Sequence, residues 1–136
     1  MSKDRGTMTP YPDLTKQQRT WIGAGIDAYA RHLKTLAEAA EKVAKTSDAT
    51  AYKDEAESIK EEIHSKLDQE VPQFRSHECK AIETGLKLLV KQIRAAKGTV
   101  RAIGKDKLAE ELEEEAIEIE ANLVGEFGEQ TALKVD

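Results

Sequence analysis

An all-α fold, an antiparallel bundle of three to four helices with coiled-coil-like seams, follows from two observations on this sequence. The first is apolar periodicity. Ile22, Ile26, Tyr29, Leu33, Leu36, Ala40 and Val43 are separated by alternating steps of four and three, and Cys79, Ile82, Leu86, Leu89, Ile93, Ala96, Val100 and Ile103 by the complementary steps. A repeat averaging about 3.5 residues keeps one seam of a helix facing a partner. The second is composition: 39% of the 136 residues are hydrophobic and 35% charged, with two Phe, one Trp and three Tyr. Such a core is built from Leu, Ile, Val and Ala, as in long bundled helices, and the chain length suits one domain.

The elements follow in order. Residues 1–12, with Gly6, Pro10 and Pro12, read as a flexible N-terminal arm; residues 13–128 form the helical domain, and 129–136 a C-terminal tail. Asp13 or Thr15 caps the first helix, Thr15 with Gln18 forming a capping box, and that helix runs to about Lys45. Thr46, Ser47 and Asp48 stop it and start the next. The second helix carries Tyr52, Ala56, Ile59, Ile63 and Leu67 and ends near Val71, because Pro72 disfavours a helical residue before it. Ser76 caps the third helix, which continues through Gly98 to Ile103. Gly104 suits a left-handed position, and Asp106 caps the fourth. This last helix buries Ala109, Leu112, Ala116, Ile119 and Leu123 and fades at Gly125 and Gly128. No repeat of fixed length shows by inspection.

Charge alternates by helix. Residues 1–47 carry a net +3, 48–72 a net −5, 73–107 a net +6 and 108–136 a net −9, which together make the overall −5. Short connections make successive helices antiparallel neighbours, so each connection sets opposite charges across a seam and disfavours like-charge pairings. The first helix is longer than the second. Its overhang, Trp21, Ile22 and Ile26 around Gly23, Ala24, Gly25 and Ala28, needs cover from the fourth helix or from a second subunit, and a homo-oligomer is expected.

No apolar run approaches the length of a membrane span, the first nine residues lack the apolar core of a secretory signal, and Cys79 is alone. A soluble, cytoplasmic protein is expected. Chemistry is sparse. Lys80, Lys87, Arg94 and Arg101 fall at one heptad position of the third helix and Lys91 and Lys105 at another, a solvent-facing basic ridge that suits phosphates or an acidic protein. Against nucleic acid stand the acidic pI of about 5.3 and the lack of interleaved aromatics for base stacking. Trp21, Ile22, Ile26 and Tyr29 offer an aromatic and apolar anchor for a partner if the overhang is uncovered.

On the fourth helix Glu111, Glu114, Glu115 and Glu118 share one face, where mutual repulsion would be relieved by a divalent cation. With Asp54, Glu57, Glu61 or Glu62 opposite, this resembles the paired E-x-x-E and E-x-x-D motifs of all-helical nucleotide pyrophosphohydrolases. The resemblance implies Mg²⁺-dependent hydrolysis. The same acidic rod can instead imitate the phosphates of DNA. Glu61-x-x-His64 has di-iron spacing but no second such pair, and His77 and Cys79 lie on different sides of a helix. The reading that accommodates most residues is a non-enzymatic, small acidic interaction protein without a cofactor. It self-associates and binds a protein partner through an apolar anchor and charged helix faces.

Overall fold

The Thr15 capping box forms as expected. Its hydroxyl accepts the Gln18 N–H at 3.0 Å, and the Gln18 side chain accepts the Thr15 N–H at 2.9 Å. In the computed structural model, which describes residues 8–127, four helices follow: α1 (Lys16–Lys42), α2 (Thr46–Leu67), α3 (Ser76–Ala102) and α4 (Asp106–Ile119). α4 widens into a π turn over Glu120–Val124 and continues helically to Phe127. α3 passes Gly98 without a break. The chain is an all-α four-helix bundle.

Two features of the connections differ from expectation. Part of the expected arm is docked: β1 (Met8–Pro10) pairs antiparallel with β2 (Gln73–Arg75), Thr9 opposite Phe74, and Tyr11 is buried. The aromatic side chains drive this. Tyr11 stacks on Phe127 with ring centroids 4.6 Å apart, and Phe74 meets both rings. Residues 1–7 and the expected tail, 129–136, lie outside the described residues. α2 also stops four residues early, at Leu67. The Arg19 guanidinium donates to the Leu67, Gln69 and Glu70 carbonyls at 2.7, 2.5 and 2.8 Å, satisfying acceptors that a helix end leaves open.

α1 packs on α2 and on α3, α3 packs on α1 and α4, and α2 and α4 share no extended seam. The molecule is therefore two antiparallel hairpins, α1–α2 and α3–α4, joined through the central α1–α3 pair. The expectation of opposite charge at every connection holds at the two hairpin turns. It does not describe the α2–α3 connection, whose helices meet only at their ends. The α1–α3 crossing is made by glycine. A Cβ on Gly25 would lie 3.0 Å from the Gly85 carbonyl carbon and the Leu86 nitrogen, and one on Gly85 would overlap the Gly25 carbonyl. Only two residues without side chains allow backbones so close.

The two hairpins are the same unit built twice, sixty positions apart. α1 and α3 each have 27 residues, and α2 matches α4 with its π turn and last helical residues in length. Gly25 answers Gly85. Val43 and Ile103 end their helices with φ −107° and −100°, and Lys45 and Lys105 precede the next with φ −95° and −94°. Ile22, Ala49, Ala56, Ile59 and Ile63 are buried, as are Ile82, Ala109, Ala116, Ile119 and Leu123. The fixed-length repeat that inspection of the sequence did not show is thus present, carried by geometry and burial.

The main core gathers around the crossing and the open ends of the hairpins: Trp21, Ile22, Ile26, Ile59, Ile63, Phe74, Ile82, Leu86, Ile119, Leu123 and Phe127. Towards the α1–α2 turn, Ala30, Leu33, Ala37, Ala40, Ala49 and Ala56 form two small clusters confined to that hairpin. The overhang of α1 is covered from within the chain, by α3.

Candidate functional site

Each hairpin turn is built by a helix-ending motif with a left-handed residue. Ala44 has φ +60° and Gly104 φ +83°. In the first turn the Lys45 N–H donates to the Ala40 carbonyl at 2.8 Å and the Ala44 N–H to Glu41 at 3.1 Å. In the second, Lys105 donates to Val100 at 2.9 Å and Gly104 to Arg101 at 3.0 Å. This is the doubly bonded Schellman arrangement. The backbone needs nothing from the side chains of Val43 and Ile103, yet both are aliphatic and exposed, at 64% and 66%. Leu108, one turn into α4, adds a third exposed aliphatic to the second tip. Lys42 and Lys45 are sequence neighbours of Val43, and Arg101, Lys105 and Lys107 of Ile103 and Leu108, all exposed. Lys42 and Arg101 lie in last helical turns, where cations also favour the helix dipole.

The other expected surfaces are distributed differently. Trp21, Ile22 and Ile26 are core residues, and Tyr29 is half-buried. Burial first and then Glu55 push the Tyr29 hydroxyl above its ordinary pKa. Along α3, Lys80, Lys87, Lys91, Arg94 and Arg101 are exposed, as is Lys105 just after it, but Arg94 is paired across the α3–α4 seam. Its guanidinium reaches Glu120 at 2.7 Å and Glu113 at 3.2 Å, and Lys97 reaches Glu113 at 2.8 Å. The charge at the centre of the ridge is therefore offset by α4 carboxylates. Lys97 and then Arg94 hold the Glu113 carboxyl below its ordinary pKa. Lys34–Glu57 at 3.1 Å and Lys53–Glu41 at 2.5 Å join the first hairpin in the same way. Opposite charges do meet across both hairpin seams.

On α4, Glu111, Glu114 and Glu118 are exposed and Glu115 is half-buried. Because α2 and α4 share no seam, the structure does not bring facing carboxylate sets from these two helices together. His64 of the E-x-x-H pair is engaged with Asp27, Nε2 to Oδ1 at 2.9 Å, with Lys60 at 4.0 Å from that oxygen. This pair lies in a polar cleft with Lys16, Arg19, Thr20 and Asp68. The Thr20 hydroxyl donates to the Lys16 carbonyl at 3.0 Å, away from the role of a nucleophile beside His64. Cys79 is buried, its sulfur 3.7 Å from the Tyr11 hydroxyl.

Sequence reasoning missed two groups. One is the pair of tips, whose signal was an aliphatic residue directly before a left-handed turn in each hairpin. The other is Glu62, His77 and Glu78. Among the described residues this is the group of three potential ligands whose atoms converge, all within 4.8 Å of one another. Nothing in the spacing signals it, since α2 and α3 are separated by β2 and a turn. No helix among the described residues is long and apolar enough to cross a membrane. No protein family matches this chain, and neither a curated protein nor a solved structure matches it.

Proposed function

We propose that the chain is a non-enzymatic interaction protein of the cytoplasm that docks on a protein partner through its two hairpin tips. The observation that carries this reading is the exposure of an aliphatic side chain at the same position of both tips, Val43 and Ile103. Capping geometry does not require it, and water disfavours it. Each tip offers an exposed aliphatic residue with basic sequence neighbours, Lys42 and Lys45 in the first and Arg101, Lys105 and Lys107 in the second. This is the combination in which apolar contact supplies affinity and charge supplies orientation and association rate. The repeat makes the binding bivalent. A partner with two equivalent acidic-rimmed apolar sites gains from simultaneous engagement more than either tip provides. With the overhang of α1 covered by α3, the reading does not depend on a second copy of this chain.

Val43→Asp and Ile103→Asp, singly and together, test it. These positions are exposed, so helical content and melting are expected to stay close to the parent. A protein retained by the parent from lysate of the native cell, with nuclease present, should be retained weakly by each single variant and not by the double. Retention that the double variant leaves unchanged would overturn the reading.

A further inference from the structure

We infer that Glu62, His77 and Glu78 form a binding site for one divalent metal ion of the zinc class. The inference is independent of the reading of the tips. α2 presents Glu62, while the start of α3 presents His77 and Glu78. The His77 Nε2 lies 3.9 Å from a Glu62 oxygen, and ligand atoms of all three residues fall within 4.8 Å of one another. Ligands at zinc bond lengths of about 2.0 Å stand roughly 3.3 Å apart on a tetrahedron. Glu62 and His77 are exposed, and a small rotation of each closes the set.

The second observation concerns Glu78, the one fully buried charged side chain among the described residues. Its Oε1 accepts from Lys66 Nζ at 2.6 Å and from the Arg75 N–H at 2.7 Å. Its Oε2 is buried and accepts no hydrogen bond. Buried carboxylate oxygens without a partner are rare, and this one is free to ligate while Oε1 keeps Lys66 and the helix cap. One imidazole and two carboxylates make an N/O set suited to Zn²⁺, with Co²⁺ as its spectroscopic probe, and leave the fourth position to water.

The repeat supplies an internal control. Sixty positions away, Glu62, His77 and Glu78 correspond to Asn122, Gln17 and Gln18, and Gln18 and Asn122 line one cleft at the other junction. The same helix junction is thus built once with amides and once with ligands. Gln18 closes its capping box as Glu78 does, so the fold does not demand the charge of Glu78. The competing arrangement is local. The Nε of Arg75 is also buried without a partner, and pairing with Glu78 would take that carboxylate from a metal.

The test is titration of chelator-treated full-length chain with Zn²⁺ by calorimetry and with Co²⁺ by visible absorption. One equivalent of Zn²⁺ per chain and the intense bands of low-coordinate Co²⁺ are expected, with Mg²⁺ unable to displace either. Glu62→Asn, at an exposed position, should weaken Zn²⁺ binding at least tenfold. The triple variant Glu62→Asn, His77→Gln, Glu78→Gln installs the amide set of the other junction and should abolish binding with helical content retained. No saturable binding by the parent, or equal binding by the parent and Glu62→Asn, would overturn the site, and the single variant decides even if the triple does not fold.

Discussion

Three glycines show how differently one residue type acts in this chain. Gly25 and Gly85 face each other where α1 crosses α3, and neither has room for a methyl group. Gly98 lies within α3, and a methyl group added there would meet nothing within 4 Å. Its only effect there is the entropy lost when the most flexible residue becomes helical. Opposite outcomes are expected from the same substitution. Gly85→Ala should destabilise the protein by about 1–3 kcal/mol through overpacking, and Gly98→Ala should stabilise it by about 0.5–1 kcal/mol. Urea denaturation of the two variants checks both signs; a neutral Gly85→Ala would mean that the helices do not cross there. The sequence shows both residues as glycine. Which one is a contact is settled by the partner backbone, sixty positions away.

At the scale of the element, the repeat makes each hairpin a control for the other. Both turns require a left-handed residue, which Gly104 adopts without strain and Ala44 does not. A left-handed L-residue costs about 1–2 kcal/mol, partly offset by the greater entropy glycine loses on folding. Ala44→Gly is therefore expected to stabilise the protein by up to about 1 kcal/mol, and Gly104→Ala to destabilise it by a similar amount, both read as shifts in melting temperature. Equal effects of the same sign would show that the turns are not equivalent. The turns also explain the helix starts. Thr46 and Asp106 look like caps in the sequence, yet each is the first residue of its helix, with Lys45 and Lys105 before them. Each helix opens with the Lys45 or Lys105 carbonyl accepting the Ala49 or Ala109 N–H, and neither lysine gives a side-chain cap.

Across the whole molecule, packing is uneven. The base combines aromatic rings, the β1–β2 ribbon and the crossing of α1 with α3, whereas the far part of the first hairpin is held mainly by alanine, with Leu33, Leu36 and Tyr52. Local opening follows the amount of buried apolar surface. Backbone amides of residues 36–52 are expected to exchange with solvent through local opening, well before those around Ile22, Ile82 and Ile119. Those central amides should exchange only with global unfolding. Native-state hydrogen exchange checks this, and uniform protection along α1 would contradict it.

The sequence alone determined an all-α bundle of three to four helices and favoured the continuity of the third through Gly98, which the structure shows. It also determined the left-handed place of Gly104 and the meeting of basic with acidic helices in each hairpin. All of these are local, set by periodicity, turn chemistry and the charge of chain neighbours. Only the tertiary structure decided that α1 pairs with α3, that Trp21, Ile22 and Ile26 are core, and that Arg94, though exposed, pairs with Glu113 and Glu120. It alone brought His77 and Glu78 to Glu62. The repeat belongs with these: seven of the fifty-two paired positions are identical, among them Ile22 and Ile82, Gly25 and Gly85, and Ala56 and Ala116. Burial needs only an apolar residue of fitting size at each core position, so the two hairpins share a pattern of buried positions with few identical residues.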